Sequence, residues 1–120
     1  MSLAKKLQLK PGQSAFVANA PEDFSLDLPA CSHEVECHDQ ADLVLVFVKD
    51  SSEIARHAGP FIGAAQRDAI AYIAYPKAGQ LGTDLNRDIL WSHVEKEGIR
   101  GVRQVSIDTV WSAMRFRPAL

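Results

Sequence analysis

Dense apolar runs alternate along the chain with longer segments in which apolar residues recur at helical spacing. Three of the runs have the length of strands: residues 15–18, 43–48 and 69–75. The second run, LVLVFV, is continuously apolar and rich in β-branched residues, as a strand covered on both faces must be. The pattern therefore predicts three buried strands, and Pro76 ends the third.

An amphipathic pattern follows the second run and predicts a helix. Asp50, Ser51 or Ser52 can cap its first turn, because short polar side chains accept hydrogen bonds from free helix amides. Apolar residues at helical spacing form a stripe that we expect to face the core: Ile54, Ala58, Phe61, Ile62 and Ala65. Pro60 lies inside this pattern and removes a helical hydrogen bond, so we expect a kink or two abutting helices there.

A second helix is predicted after the third strand. Residues 77–82 contain two glycines and are expected to form a mobile loop. Thr83 or Asp84 then caps a helix that reaches about Glu97, and Gly98 stands where a helix C-cap glycine belongs.

The remaining segments carry weaker patterns. Residues 2–9 predict one or two helical turns, and residues 21–28 mix polar and apolar positions as a short helix does. Residues 33–37 form a weak strand. Only five residues separate Cys37 from Leu43, too few for a standard helical crossover between parallel strands. We therefore expect the weak strand to be short and peripheral, or antiparallel.

Two final strands, at about 102–108 and 111–117, are too close together for a crossover connection. They predict an antiparallel hairpin or two arms of a bent strand. The order strand, helix, strand, helix, hairpin indicates an α/β domain with a mainly parallel sheet and a C-terminal antiparallel hairpin. A chain of 120 residues fits one domain, spanning 1–120.

Composition narrows the function classes. The 47% hydrophobic and 23% charged residues are typical of folded globular proteins and argue against disorder. A formal charge of −2 gives no electrostatic support for binding nucleic acid or an anionic membrane. No apolar stretch approaches the about 20 residues of a membrane span. The first ten residues lack an apolar signal-peptide core, and two cysteines suggest reduced thiols, so we expect a cytoplasmic protein.

Four arginines cluster late in the chain, at Arg100, Arg103, Arg115 and Arg117. Arginines among strands usually form a solvated face, and we interpret these in that way. A functional anion-binding patch is the alternative.

Two resemblances follow from particular stretches. The segments "LKPGQSAFVA", "ADLVLVFV" and "DAIAYIAYP", together with the closing hairpin, resemble the class I S-adenosylmethionine-dependent methyltransferase fold in reduced form. The stretches "NAPEDF", "YPKAGQLGTDLNRD" and "VSIDTVWSAMRFR" are similar to a bacterial family of short Rossmann-like proteins of unknown function. Both resemblances imply a Rossmann-like three-layer sandwich, and the second covers nearly the whole chain.

The methyltransferase resemblance implies a glycine-rich loop after the first strand, but this chain has "NAPE" at residues 19–22. Side chains at Ala20 and Pro21 would obstruct the approach of a cofactor, and Pro21 has no N–H to donate. The same resemblance implies a ribose-binding acid at the end of the second strand, where Glu36 or Asp39 could serve. The cofactor site is therefore expected to be degenerate.

Four residues are the candidate ligand-binding side chains. Ligands of open α/β sheets bind at the carboxyl ends of strands. Lys77 would lie at that edge, and the helix amides near Thr83 and Asp84 would suit an anion. Asn19, at the end of the first strand, completes the set. The alternative is that Lys77 is solvated and that Thr83 and Asp84 only cap the helix.

Other reactive side chains give weaker evidence for a functional site. Four metal-capable side chains, Cys31, His33, Cys37 and His38, lack the paired spacing of a zinc site, so no metal is expected.

Asp108 with Ser112, or His93 with Cys37, could form catalytic pairs, but no motif places a nucleophile beside a base. The simpler interpretation is that Asp108 bonds its own turn while aromatic residues beyond it pack in the core.

These observations predict a small non-catalytic protein that acts through a small ligand or a protein partner, without nucleic acid or membrane. A homodimer formed through an unpaired edge strand is a further expectation. The alternative is a minimal methyltransferase, for which S-adenosylmethionine would be the cofactor; otherwise no cofactor is expected.

Overall fold

A computed structural model describes residues 3–77 and 79–119. These residues form six strands and four α-helices in the order α1 (Leu3–Lys6), β1 (Ser14–Ala18), β2 (His33–Glu34), β3 (Leu43–Phe47), α2 (Ser51–His57), α3 (Gly59–Gln66), β4 (Ile70–Pro76), α4 (Arg87–Val94), β5 (Ile99–Ser106) and β6 (Trp111–Pro118). The predicted segments 2–9 and 77–82 each include one residue, Ser2 and Ala78, that lies outside the described residues. No helix in the described part of the chain is long and apolar enough to cross a membrane.

The strands form one mixed sheet in the order β2-β1-β3-β4-β6-β5. Among the described residues, β2, β1, β3 and β4 run parallel, while β6 pairs antiparallel with both β4 and β5. The α/β class and the antiparallel C-terminal hairpin are confirmed. The hairpin strands begin and end at Ile99 and Pro118, slightly beyond the predicted bounds.

Three helices cover one face of the sheet, which we call the helical face. Alternate strand residues such as Val44, Val46 and Ile73 point to it, and they pack with buried side chains of α2, α3 and α4. The predicted stripe of α2 and α3 is confirmed, since Ile54, Ala58, Phe61 and Ala65 are buried and Ile62 packs beside them. Strand alternation sends the neighbouring residues to the opposite face.

The opposite face, which we call the loop face, is covered by α1 and by an irregular segment. The predicted helix at 21–28 is wrong, because this segment is a turn followed by extended chain. Phe24, Leu26 and Leu28 alternate with polar residues and all pack on the loop face. A period of two is the pattern of an extended segment that lies on an apolar surface. This pattern determines the structure here, although the residues that begin at Pro21 resemble a helix start.

Pro60 separates two abutting helices, as predicted. Helix α2 ends at His57 and α3 begins at Gly59, so Pro60 stands in the first turn of α3, where its missing N–H costs no hydrogen bond. Asp50 caps α2 by accepting a hydrogen bond from the backbone N–H of Ser52 at 3.0 Å.

The predicted cap of α4 is wrong. Asn86 caps the helix, and its side chain accepts a hydrogen bond from the backbone N–H of Ile89 at 2.9 Å. Thr83 and Asp84 therefore precede the helix and do not cap it. The C-terminal end is confirmed, since a 3-10 turn continues to Glu97 and Gly98 adopts the left-handed conformation with φ of 78°.

Strand β2 is short, peripheral and parallel, and these features explain the short connection to β3. Its two residues pair only with Ser14 and Ala15, at the start of β1. The connection therefore crosses β1 near its amino end, through a 3-10 turn at His38–Gln40. Arg67 holds this turn by donating to the carbonyl oxygens of His38 and Ala41, both at 2.9 Å.

Candidate functional site

The path of the chain across the sheet changes direction between β1 and β3. From β1 the chain moves outward to β2, and it then returns past β1 to β3 and continues to β4. In open α/β sheets such a switch point leaves a crevice at the carboxyl ends of the strands, where ligands bind. A cleft of about 880 Å³ opens at this place.

The cleft lies between three segments. Residues 19–25 form one side, and Lys49 and Glu53 lie beyond the end of β3. The turn between β5 and β6 supplies the other side, together with Leu81.

Asn19 joins the ends of β1 and β3 at one side of the cleft. It adopts the left-handed conformation with φ of 58°. Its Nδ2 donates to the carbonyl oxygen of Phe47 at 2.8 Å and to Oε1 of Glu53 at 3.3 Å. A glycine at this position would leave open the space that the Asn19 side chain takes. Asn19 therefore lines the cleft but uses its amide to connect two strands.

Asp84 reaches the start of α2 from a distant part of the chain. Its carboxylate accepts hydrogen bonds from the backbone N–H of Ser51 at 2.9 Å and from Oγ of Ser51 at 2.5 Å. These bonds hold the pKa of Asp84 below its usual value. Asp84 thus occupies, with its own charge, the helix start where an anionic ligand would bind.

Two further carboxylates use the other free amides at the same helix start. Glu53 accepts from the backbone N–H of Lys49 at 2.7 Å, and Asp50 accepts from that of Ser52. Asp84, Asp50 and Glu53 together satisfy the amides of Lys49 and the first turn of α2. A phosphate placed here would meet three carboxylates and the amide donors would already be engaged.

Aromatic rings pack beside the cleft, and two of them, Phe24 and Trp111, line it. Phe24 contacts Phe47 edge to face with ring centroids 4.8 Å apart, and Phe47 contacts Trp111 in the same way at 5.0 Å. Phe47 and Trp111 are buried, whereas Phe24 is partly exposed along the cleft. Rings packed in this manner form a rigid apolar wall.

The rim of the cleft is acidic. Among the described residues, four carboxylates and one ammonium group line it, giving a formal charge of −3. Asp108 Oδ1 accepts from the backbone N–H groups of Val110 and Trp111, both at 2.8 Å, so it orders the β5–β6 turn as predicted. Glu22 and Asp23 are exposed. Neither has a hydrogen-bond or ion-pair partner within residues 3–77 and 79–119.

Lys77 and Thr83 lie near the cleft but do not line it. Lys77 Nζ donates to Oγ of Ser106 at 2.8 Å, which ties β4 to β5 across β6. Thr83 Oγ1 accepts from the backbone N–H of Leu85 at 3.1 Å. Of the four predicted residues, the structure places Asn19 in the cleft and Asp84 at the adjoining helix start.

The alternative sites do not assemble. Within the described residues, no group of three or more His, Cys, Asp or Glu side chains could hold a metal ion. Cys31 and Cys37 are exposed free thiols. Glu36 and Asp39 do not line the cleft.

The two candidate catalytic pairs, Asp108 with Ser112 and His93 with Cys37, are not formed. Ser112 Oγ donates to the carbonyl oxygen of Val105 at 3.3 Å and accepts from Gln104 Nε2 at 3.1 Å, while Asp108 bonds its turn. Cys37 follows β2 at one edge of the sheet, whereas His93 lies on α4, which contacts β5 at the other edge.

Three of the four clustered arginines make hydrogen bonds within the fold. Arg117 donates two hydrogen bonds to the carboxylate of Asp68, each at 2.9 Å, which lowers the pKa of Asp68 and raises that of Arg117. Arg115 donates to Oε1 of Gln8 at 2.5 Å, and Arg103 also holds the N-terminal turn. Ligand binding is not needed to account for these contacts.

Several cleft residues were not predicted. Glu22, Asp23 and Phe24 lie in the segment that the sequence pattern predicts as a helix. Glu53 is not among the four predicted ligand-binding residues. The alternation from Phe24 to Leu28 could have identified an extended wall, and the position of Glu53 three residues after Asp50 resembles a capping pattern.

No protein-family model, curated protein or solved structure matches this chain.

Proposed function

We propose that this protein is a reduced Rossmann-like domain that binds a small organic ligand without transforming it. The observation that carries the proposal is the cleft of about 880 Å³ at the carboxyl ends of β1 and β3. That size suits a small molecule, and the position is the one that open α/β sheets use for ligands. A cytoplasmic setting belongs to the proposal, since it would keep the exposed Cys31 and Cys37 reduced.

Two of the four described carboxylates that line the cleft are held by hydrogen bonds within the protein, and this supports binding over catalysis. Glu53 accepts from the Lys49 amide and the Asn19 side chain, and Asp108 accepts from two amides of its turn. Hydrogen bonds to a carboxylate stabilise its charged form and restrain its position. A general base needs a lone pair directed at the proton it removes, and here the bonded oxygens are directed at the protein itself.

A blocked cleft tests the proposal. The exposed Ala20 lines the cleft, and the equally exposed Ala55 lies on α2 outside it. We expect fragments from a chemically mixed library to raise the melting temperature of the wild type and of Ala55→Trp, but not of Ala20→Trp. If no fragment binds at millimolar concentration, or if Ala20→Trp binds them equally well, the cleft is not a ligand site.

The second candidate is a minimal S-adenosylmethionine-dependent methyltransferase. The acidic lining favours it, because the sulfonium group of that cofactor is a cation. Asn19 opposes it, because its side chain stands where the methyltransferase resemblance implies a glycine, and it bridges the ends of β1 and β3. A thermal shift with S-adenosylmethionine and S-adenosylhomocysteine distinguishes the two, and the absence of any shift at millimolar ligand excludes the methyltransferase.

The sheet edge supports self-association less strongly than the cleft supports ligand binding. Strand β5 is an edge, but its pairing register shifts between Gly101 and Arg103. Bulges and charged residues protect edges from pairing, and Arg100 and Arg103 lie on this strand. Size-exclusion chromatography at increasing concentration tests for a dimer. A different protein partner would have to bind another surface, or pair with β5 through a negatively charged strand.

A further inference from the structure

We infer that the ligand is an amphipathic organic cation, with an ammonium or similar group at the acidic rim and an apolar body on the aromatic wall. The inference rests on the proposed function, because it names the class of molecule that the cleft accepts. It depends on three features: the hydrogen-bonded amides at the start of α2, the unpaired carboxylates of Glu22 and Asp23, and the apolar side chains that line the cleft.

The first step argues against an anion at the start of α2. Phosphate and carboxylate ligands of α/β sheets bind to free amides at a helix start. At the start of α2 the amides of Ser51 and Ser52 are bonded to Asp84 and Asp50, and the amide of Lys49 is bonded to Glu53. An anion would have to displace one of these carboxylates and would remain beside the others, so like-charge repulsion opposes its binding.

The second step identifies the groups that attract a cation. Glu22 and Asp23 protrude from the loop after β1, and neither is bonded to another described side chain. Glu53 also lines the cleft, and its Oε2 takes no part in its two described hydrogen bonds. Lys49 is the single cationic residue among the described lining residues. A cleft whose lining charges are mostly of one sign concentrates the field, and the net charge of −3 here favours positive ligands.

The third step concerns the rest of the ligand. Phe24 and Val110 are partly exposed along the cleft, and Leu81 is 57% exposed at its mouth. A large apolar side chain held in solvent loses stabilisation that a ligand could restore by covering it. A purely inorganic cation would leave this wall uncovered, so the two surfaces together select a cation with an apolar body.

Three probes with a common body and different charge test the inference. They are 2-phenylethylammonium, 2-phenylethanol and 3-phenylpropionate, measured by protein-observed NMR at pH 7. We expect the ammonium compound to bind most tightly, the alcohol at least about 3-fold more weakly and the carboxylate not at all. Affinity for the ammonium compound should also fall as salt is raised.

A pair of double variants assigns the effect to the cleft. Glu22→Gln with Asp23→Asn should weaken ammonium binding about 3- to 10-fold and leave the binding of the alcohol unchanged. The control, Glu34→Gln with Glu36→Gln, removes the same charge from two exposed acids outside the cleft and should change neither.

The outcomes separate this inference from the proposed function. If the alcohol or the carboxylate binds as well as the ammonium compound, and Ala20→Trp abolishes that binding, the site stands and its preference for cations is refuted. If the ammonium compound binds but both double variants weaken it equally, the preference comes from net charge and not from the cleft. If no probe and no library fragment binds, both proposals fail.

Discussion

Charged side chains bond backbone groups at both ends of the sheet, mostly carboxylates at the carboxyl end and mostly arginines at the amino end. At the carboxyl end of the parallel strands, carboxylates accept hydrogen bonds from backbone amides, as Asp84 does at Ser51. At the amino end, arginines donate to oxygen atoms, as Arg103 does to the carbonyl of Lys6 at 3.2 Å. In each case a side chain satisfies polar groups that regular secondary structure leaves free.

The ends differ in what these contacts enclose. At the amino end, Arg103 and Arg115 hold the N-terminal turn against the sheet, and Leu7 beneath it is completely buried. At the carboxyl end, Asn19 and Asp84 brace the strands and α2 but leave the loop after β1 standing away from the β5–β6 turn. The comparison teaches that a cluster of charged side chains indicates a ligand site only where those side chains are not already hydrogen-bonded within the fold.

The largest expected effect lies at the amino end. Leu7→Ala should reduce the free energy of unfolding by about 2–5 kcal/mol, because it leaves a cavity under the N-terminal turn. Leu81→Ala, at the mouth of the cleft, should change it by less than about 0.5 kcal/mol, since Leu81 is largely exposed. Urea unfolding followed by circular dichroism measures both. Similar losses for the two variants would show that the cleft end is as closely packed as the amino end.

The next effect tests the brace at the carboxyl end. Asn19→Ala should cost about 1–3 kcal/mol, because it loses the bond to the Phe47 carbonyl and strains a left-handed backbone. Asn19→Gly keeps the favourable backbone and loses only the bond, so it should cost less. The same urea experiment compares them. If Asn19→Gly is the more destabilising of the two, the backbone conformation is not the source of the strain.

The sequence was sufficient where burial on both faces decides the structure. Strands β3 and β4 could be predicted because their apolar runs suit only a covered strand, and the break at Pro60 followed from its missing N–H. Residues 21–28 were misassigned because Glu22 and Asp23 after a proline resemble a first helical turn. Phe24, Leu26 and Leu28 then alternate with polar residues. This alternation favours an extended segment only when an apolar sheet face is present for the three side chains to pack on.

The cleft could be predicted only in part because long-range bonds build it. A strand followed by a loop predicts an edge where ligands bind, and Asn19 lies at that edge in the structure. Local capping rules suggested that Asp84 caps its own helix, but it bonds Ser51, which is 33 residues away. Asn86 lies at the α4 start and takes that role. Nothing in the local sequence distinguishes a carboxylate that caps its own helix from one that caps another.

A smaller effect follows from the pKa of Asp84. The bonds from Ser51 lower this pKa below the usual value of 3.8, so the folded state favours the charged carboxylate. The resulting stabilisation is complete above about pH 4 and is lost as the pH falls through the folded-state pKa. Asp84→Asn should therefore lower stability at pH 7 and reduce its dependence on pH below 4, measured by thermal unfolding between pH 2 and 7.

Asp68 provides a control for that experiment at the amino end, because Arg117 lowers its pKa in the same direction. Asp68→Asn should also flatten the acid limb, but raised salt should shrink its effect because both partners are exposed. An unchanged acid limb in Asp84→Asn would mean that the contact with Ser51 is not maintained in solution.

The smallest effect lies at the amino end and comes from a hydroxyl group without a partner. Tyr72 is fully buried, and its hydroxyl makes no hydrogen bond with the described residues. Tyr72→Phe should therefore change stability at pH 7 by less than about 1 kcal/mol, because no hydrogen bond is lost. Burial raises the pKa of Tyr72 from 10.0, so the wild type loses stability as the pH rises above 10 and the variant should lose less.

Tyr75 is the matched control for Tyr72, since it lies on the same strand and burial also raises its pKa. Its hydroxyl accepts a hydrogen bond from Gln104 Nε2 at 2.8 Å, so Tyr75→Phe should be the more destabilising variant at pH 7. Thermal unfolding of both variants between pH 7 and 11 measures the difference. A greater loss in Tyr72→Phe would reveal a partner for that hydroxyl, most simply a buried water shared with Nε of Arg115, which also lacks a hydrogen-bond partner among the described residues. The amino end would then contain a buried polar site of its own. The description of a closely packed amino end and an open carboxyl end would then be wrong.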